Sequence, residues 1–268
     1  MFGSRLKWIM KIALTLGATL LIIGLAQLGG EWTSVAHADS TLPSWCPSVP
    51  TISPCPNPTI PTFTDVPDSE WFYPWVETVA CHGYVYGYGD GTYGPLDNAT
   101  RGEMAVFIER AVNGPSYTPT LPAPTLGTFV DVDYSTPIWY ANWVEGLYQD
   151  GMTAGCAGTI PGVDLEYCPE SNHLRAEAAV FFERVINGSS FIPTLPTVGS
   201  FIDVDYSTPI WYANWVEGIY QDGVVAGCGG TVPGVDLAYC PENDITRAEV
   251  AVFMVRSLCL PMVPDTIP

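Results

Sequence analysis

The chain has 268 residues, 47% of them apolar, and a formal net charge of −19. That length suits one or two domains, and the apolar content excludes a chain disordered by composition. The charge excludes nucleic acid as a partner, because neutralising phosphates needs clustered Lys and Arg.

The first 38 residues stand apart. Arg5, Lys7 and Lys11 make a basic start, Ile12 to Leu28 is an apolar run, and Ala36-His37-Ala38 offers a small-x-small cleavage site. This is the layout of a secretory signal peptide. The alternative is an uncleaved anchor, for which about 17 apolar residues lie near the lower limit of a bilayer span. Without residues 1–38 the chain keeps six basic and 27 acidic residues, a net charge of −21, and no lysine. No other apolar stretch is long enough for a membrane span.

All eight cysteines follow this leader: Cys46, Cys55, Cys81, Cys156, Cys168, Cys228, Cys240 and Cys259. An even count in an exported chain reads as disulfides. There is no CxxC pair, and after the leader only His82 and His173 remain, so no structural metal site is expected.

The chain then repeats itself. Residues 131–151 (DVDYSTPIWYANWVEGLYQDG) and 203–223 differ only at Leu147 against Ile219. A more divergent copy begins at Phe63. The copies span 63–112, 129–186 and 201–258, separated by linkers 113–128 and 187–200 rich in Pro, Ser and Thr. A Pro-rich segment, 39–62, precedes them, and 259–268 is a short tail.

Each copy opens with Phe-x-Asp-Val and then carries two tryptophans four residues apart: Trp71/Trp75, Trp139/Trp143 and Trp211/Trp215. This spacing predicts a first helix with Trp71, Trp75 and Val79 on one face, ended near Gly83, Gly151 or Gly223. Pro74 falls in the first turn, where a missing N–H costs little. A second helix begins at Thr100 in copy one and Thr246 in copy three. Thr100 with Glu103, and Thr246 with Glu249, fit a capping box. Leu174 replaces the threonine in copy two, so that helix is expected to lose its cap and have the loosest end.

Between the helices, copy one has the tight turn GYGDGTYGP at 87–95. Copies two and three have a loop six residues longer, bounded by Cys156 and Cys168 or by Cys228 and Cys240. The shared Cys-x11-Cys spacing makes 156–168 and 228–240 the economical bridges, each worth roughly 3 kcal/mol in the chain-entropy model. Cys46, Cys55, Cys81 and Cys259 are left with three possible pairings. A mainly α fold follows: three tandem helix–loop–helix repeats with disulfide-stabilised loops, packed on one another because a unit of this size buries little core alone.

Phe-x-Asp-Val, an aromatic helix, Gly-Tyr-x-Asp-Gly-Thr-aromatic-x-Pro and Thr-Arg-Ala-Glu, in that order, resemble the S-layer homology domain. Copy one carries FTDV, GYGDGTYGP and TRGE, copy three FIDV and ITRAE, and copy two FVDV and HLRAE. The resemblance implies a pseudo-threefold, three-pronged assembly that binds a cell-wall polysaccharide, commonly pyruvylated, in grooves between prongs. It implies Arg101, Arg175 and Arg247 as ligand-binding residues, with Asp90, Gly91 and Thr92 in copy one only.

The residues support part of this independently. The six arginines after the leader form three pairs nine residues apart, one pair per second helix, on opposite faces. The first of each pair, Arg101, Arg175 or Arg247, sits in the first turn, where a cation opposes the helix dipole. A carboxylate ligand would explain that placement, using the Arg fork and free N–H groups at the helix start. The competing reading pairs these arginines with Asp65, Asp131 or Asp203. Arg110, Arg184 and Arg256 read as structural. Trp71, Trp139 and Trp211 are either core or a platform for sugar faces. The Asp131-Val-Asp133 and Asp203-Val-Asp205 segments lack the spacing of a calcium loop and read as solvated or Arg-paired acids.

No hydrolase or P-loop motif is present, so no enzyme activity and no cofactor are expected. The expected function is non-covalent anchoring of an exported protein to cell-wall polysaccharide at the cell surface. The alternative is envelope or S-layer assembly through contacts with other envelope proteins, without glycan.

Overall fold

The computed structural model describes residues 43–46, 52–56, 58–120, 127–135, 138–208 and 210–263. The expected leader, 1–38, lies outside them. Six helices follow in chain order: α1 (Tyr73–Cys81), α2 (Arg101–Asn113), α3 (Ala141–Gln149), α4 (Arg175–Asn187), α5 (Ala213–Gln221) and α6 (Arg247–Ser257). Among the described residues, β pairing is limited to isolated bridges, and no helix is long and apolar enough to cross a membrane. The fold is mainly helical with four disulfides, and it places two helices in each copy.

The short first helices end in the same way. At α1, Gly83 takes φ +79°. Its N–H donates to Ala80 O, and Tyr84 N–H donates back to Val79 O. Gly151 and Gly223 repeat this geometry, which a side chain would resist. Pro74 sits in the first turn of α1 as expected. The tryptophan register is different from the expected one. The first helices start at residues 73, 141 and 213, so Trp71, Trp139 and Trp211 precede them and do not share a helix face with Trp75, Trp143 and Trp215. Only the second of each pair is buried.

The second helices start on capping boxes. Thr100 Oγ1 accepts from Glu103 N–H (3.2 Å) and Thr100 N–H donates to Glu103 Oε2 (2.9 Å). Thr246 and Glu249 do the same at α6. At α4 the cap is half lost rather than lost. Leu174 has no side-chain oxygen, but its N–H still donates to Glu177 Oε2 at 3.0 Å. The helix then runs 13 residues, as long as α2.

The Phe-x-Asp-Val aspartates hold the far side of each loop. Asp65 accepts from Tyr93 and Gly94 N–H (both 2.8 Å). Asp131 accepts from Tyr167 and Cys168, and Asp203 from Tyr239 and Cys240. These acids are spent on backbone, and the first-turn arginines pair with other acids, so the competing Asp–Arg reading does not hold. Asp133 and Asp205 cap the turns at Ser135 and Ser207. Cys168 and Cys240 take φ +58° where copy one has Gly94 at +68°. In copy one the Tyr88 side chain crowds against Gly94. In copies two and three the Cys156–Cys168 and Cys228–Cys240 bridges form at those positions.

Three junctions join the copies, and they run head to tail. The second helix of each copy packs on the first helix of the next: α2 on α3, α4 on α5, and α6 back on α1. Arg110, Arg184 and Arg256 lie over the rings of Trp143, Trp215 and Trp75, 5.0, 5.3 and 5.0 Å from their centroids. Each of these guanidinium groups also donates to a carbonyl of its own copy, at Tyr84, Met152 or Val224. They brace the junctions, as read from sequence, and Arg110 also lines a groove. The backbone closes the same circuit: Ala99 N–H donates to Ile245 O, His173 N–H to Ala99 O and Ile245 N–H to His173 O, all at 2.9 Å. His173 is fully buried and stacks on Phe181. Burial, reinforced by Arg101, pushes its pKa well below the ordinary value, so the imidazole stays neutral.

The junctions are alike but not identical. Glu109 and Glu183 are buried against Gly146 and Gly218 of the next first helix. At the third junction those positions are Val255 and Thr78. Removing the carboxylate leaves room for a side chain opposite it. Burial, with Asp150 or Asp222 nearby, pushes both Glu109 and Glu183 up to about 8.

The four remaining cysteines pair as Cys46–Cys259 and Cys55–Cys81. The first spans 213 residues and the loop bridges span 12 each. In the chain-entropy model the long bridge is worth about 5 kcal/mol and a short one about 3 kcal/mol. Replacing Cys46 and Cys259 with serine should therefore lower stability in chemical denaturation more than replacing Cys156 and Cys168. A second prediction concerns pH. A carboxyl raised in the fold holds an extra proton there, so its stabilising contribution falls as pH rises from about 4.5 toward about 8. The Glu109→Gln/Glu183→Gln variant should lose less thermal stability than the parent between pH 5 and 8. Parallel pH profiles would contradict this.

Candidate functional site

The first-turn arginines form the strongest charged contacts between copies. Arg101 pairs with Glu177 (2.5 Å), Arg175 with Glu249 (2.6 Å) and Arg247 with Glu103 (2.5 Å). The arginine side chains are only 4–6% exposed. Each Nε–H donates to the carbonyl of a tyrosine in the neighbouring copy, Tyr167, Tyr239 or Tyr93. The hydroxyl of that tyrosine returns a bond to the arginine carbonyl at 2.9 Å. Each glutamate is the capping-box acid of the next copy. It therefore satisfies its own helix start and the incoming guanidinium together.

The helix-start amides that could have met an anion are occupied. Arg101 and Gly102 N–H donate to Ser171 and Pro169 carbonyls, Arg175 and Ala176 to Asn243 and Pro241, and Arg247 and Ala248 to Asp97 and Pro95. The partner of each arginine is thus a glutamate, not the aspartate considered from sequence, and the amide cradle is filled by protein.

Arg247 also lines a groove. A cavity of about 530 Å³ opens between copies, walled by Tyr86, Tyr88, Phe107, Arg110, Trp139 and Arg247 among others. Arg247 lies 4.4 Å from the Tyr88 ring centroid and Arg110 lies 4.6 Å from that of Tyr86. Trp139 is 57% exposed, its edge braced on Tyr140. Tyr86 and Tyr88 are exposed too. Burial pushes the Tyr88 hydroxyl up to about 12 against the pull of Arg247, so it remains a neutral donor and acceptor. The groove offers aromatic faces around two cations, a lining suited to a sugar bearing an acid group.

The other residues expected at a site lie elsewhere. Asp90, Gly91 and Thr92 form an exposed turn in which Asp90 Oδ1 accepts from Thr92 Oγ1 (2.6 Å) and N–H (2.9 Å). Those bonds hold Asp90 below the usual carboxylate range. Gly91, at φ +94°, accepts from Thr64 N–H. Thr92 lines a second cleft of about 480 Å³ with Asp65, Glu70 and Asp97, and Tyr88 borders both cavities. Trp211 is 56% exposed and Trp71 is partly buried. Arg101 and Arg175 stay within their own junctions. Asp131 lies beside Cys156 and Cys168, and Asp203 beside Cys228 and Cys240. Those sulfurs are disulfide-bonded and the carboxylates are taken by backbone amides, so neither cluster offers free metal ligands.

Tyr86 and Tyr88 are groove residues that motif reading passed over, and Arg110, read from sequence as structural, lines the groove with them. The available signal was the Tyr-x-Tyr of GYVYGYGDG, which copies two and three replace with Ala154/Cys156 and Ala226/Cys228. The Tyr86/Tyr88 wall of the first groove is therefore specific to copy one.

Residues 62–105 match the S-layer homology domain. An amylopullulanase from Thermoanaerobacterium thermosulfurigenes is 27% identical over 193 residues, 72% of this chain and 9% of that protein. The exoglucanase XynX of Acetivibrio thermocellus is 28% identical over 196 residues, 72% of this chain and 16% of that protein. The outer membrane protein SlpA of Deinococcus radiodurans is 35% identical over 63 residues, 24% of this chain and 5% of that protein. The chain spans less than a fifth of the length of each relative. These matches place an S-layer homology domain at residues 62–105, the first of the three copies that share the motif order.

Proposed function

We propose that the chain is an exported cell-envelope protein, released from a leader at 1–38, that anchors non-covalently to an anionic cell-wall polysaccharide. The repeats at 63–112, 129–186 and 201–258 pack in this reading as a pseudo-threefold, three-pronged assembly, with 113–128 and 187–200 as linkers. The observation that carries it is the groove, where Arg247 and Arg110 stand among Tyr86, Tyr88 and Trp139. A pyruvate ketal fits this chemistry: its carboxylate meets the guanidinium groups while the sugar ring lies on an aromatic face. Arg101, Arg175, Asp90, Gly91, Thr92, Trp71 and Trp211 remain candidates for secondary contacts to the polymer. No catalytic role is assigned to the chain.

The net charge of −21 after the leader shapes how such binding must work. Long-range attraction to an anionic polymer is absent, so recognition depends on contacts shorter than the screening length. Added salt should not weaken binding steeply, because it also screens the overall repulsion.

A second reading, assembly with other envelope proteins, is supported by exposed apolar side chains at and beside the two long loops. Val130, Ile160 and Val163 recur as Ile202, Val232 and Val235.

Co-sedimentation with purified cell-wall sacculi tests both. The exported chain should pellet with native sacculi and not with sacculi stripped of secondary polysaccharide. Tyr86→Ala and Trp139→Ala, at exposed positions with small folding cost, should each weaken binding roughly tenfold, a loss of about 1.4 kcal/mol. Equal binding to stripped sacculi, or unchanged binding by both variants, would remove the groove reading and favour protein assembly.

A further inference from the structure

The first two junctions are continuous peptide. After α2 the chain crosses α3, where Asn142 Nδ2 donates to Pro119 O (3.1 Å). After α4 it crosses α5, where Asn214 Nδ2 donates to Pro193 O (3.0 Å). After α6 the tail crosses α1 in the same manner, and Val263 N–H donates to Thr78 Oγ1 (3.1 Å). The third junction has no peptide onward to α1, because α1 lies near the start of the repeats.

Two disulfides supply that continuity. Cys259, just beyond α6, is bonded to Cys46, and Cys55, nine residues on, is bonded to Cys81 at the end of α1. The bridges in series make a covalent path from the last helix to the first. The segment carrying Cys46 also sits where a linker sits. Pro115 lies against Gly83 in copy one and Ser189 against Gly151 in copy two, and in copy three Pro43 lies against Gly223. Trp45 fixes that placement by donating from Nε1 to Asp222 O at 2.7 Å.

The third junction joins its helices through the same arginine–tryptophan contact as the other two, with Val255 and Thr78 in place of their Glu–Gly pair. Arg256 meets Trp75 as Arg110 meets Trp143 and Arg184 meets Trp215. Before the Cys46–Cys259 bond exists, only the long path through α2, α3, α4 and α5 ties the tail to α1 of its own chain. An α1 from another copy carries the same face.

We propose that the Cys46–Cys259 disulfide acts as the third linker and commits α6 to α1 of the same chain, and that without it α6 takes α1 of a second copy, head to tail. Bond formation is ordinary thiol–disulfide exchange. Two cysteine thiols react with one oxidised glutathione, giving the protein disulfide and two reduced glutathione molecules.

The test uses the wild-type exported chain. Equal amounts of ¹⁵N-labelled and unlabelled reduced chain are refolded together with oxidised and reduced glutathione. Proteolysis and mass spectrometry then read the isotopes in each disulfide-linked peptide pair. Effective concentrations for linked partners are of order millimolar, so exchange competes as protein concentration approaches that range. The Cys46–Cys259 pair should be same-isotope when refolding is at about 1 μM. Mixed light–heavy pairs should reach several per cent at about 100 μM. Cys156–Cys168, which lies within one copy, should stay same-isotope throughout. Light scattering should show dimers or larger species carrying the mixed pairs. Same-isotope Cys46–Cys259 at every concentration would overturn the proposal. So would equal mixing at Cys156–Cys168, which would mark indiscriminate cross-linking.

Discussion

The structure depends on a glutamate that serves two helices at once. Glu103, Glu177 and Glu249 each accept the backbone N–H at their own helix start, within a full capping box at Glu103 and Glu249, while accepting a guanidinium from another copy. A cation in the first turn of a helix is unfavourable to that helix's own dipole. Here the incoming acid compensates it, and the tyrosine exchange on the other side fixes the fork. A pair this deep is costly to break, since either partner alone would be left charged and poorly solvated. Local helix initiation and assembly of the copies are thereby the same event. That coupling lets units of modest size form a stable core together.

Much of this was legible in sequence, and the exceptions have physical causes. Helix ends at Gly83, Gly151 and Gly223, the capping boxes and the loop disulfides follow from local rules that one residue type at one position can satisfy. The first-turn arginines stood out because they defied the dipole. Their partner did not, because it is set by docking between copies. From sequence Asp65, Asp131 and Asp203 looked like the available acids, yet backbone amides of the loops claim them. The tryptophans misled for a related reason. Four-residue spacing suits one helix face, but the turn before each helix gives the first tryptophan a different direction. Pairing of the last four cysteines was open because long-range bridges depend on where chain ends meet.

The candidate groove was least legible. Arg247 and Trp139 were picked out for separate reasons, and only the packing of copies brings them beside Tyr86, Tyr88 and Arg110. The departure of copies two and three from the short Gly-Asp-Gly turn also has structural meaning. At the positions of Tyr88 and Gly94 in copy one, the later copies have a disulfide. Those loops hold the same backbone bonds to Asp131 and Asp203, so the scaffold is kept while the surface beside it changes. Three similar units can in this way present dissimilar walls.

The path through Cys259, Cys46, Cys55 and Cys81 makes the folded part of the chain a closed covalent loop rather than a string. A protease acting outside the cell would meet its best substrates in the Pro- and Ser-rich connections. One cut between residues 82 and 258 opens the loop without releasing a fragment, because both new ends stay tied through the bridges. The pieces therefore remain at high local concentration and keep their faces together. A nicked molecule of this kind would run as fragments only after reduction, and in its oxidised state it would continue to hold whatever surface it had bound.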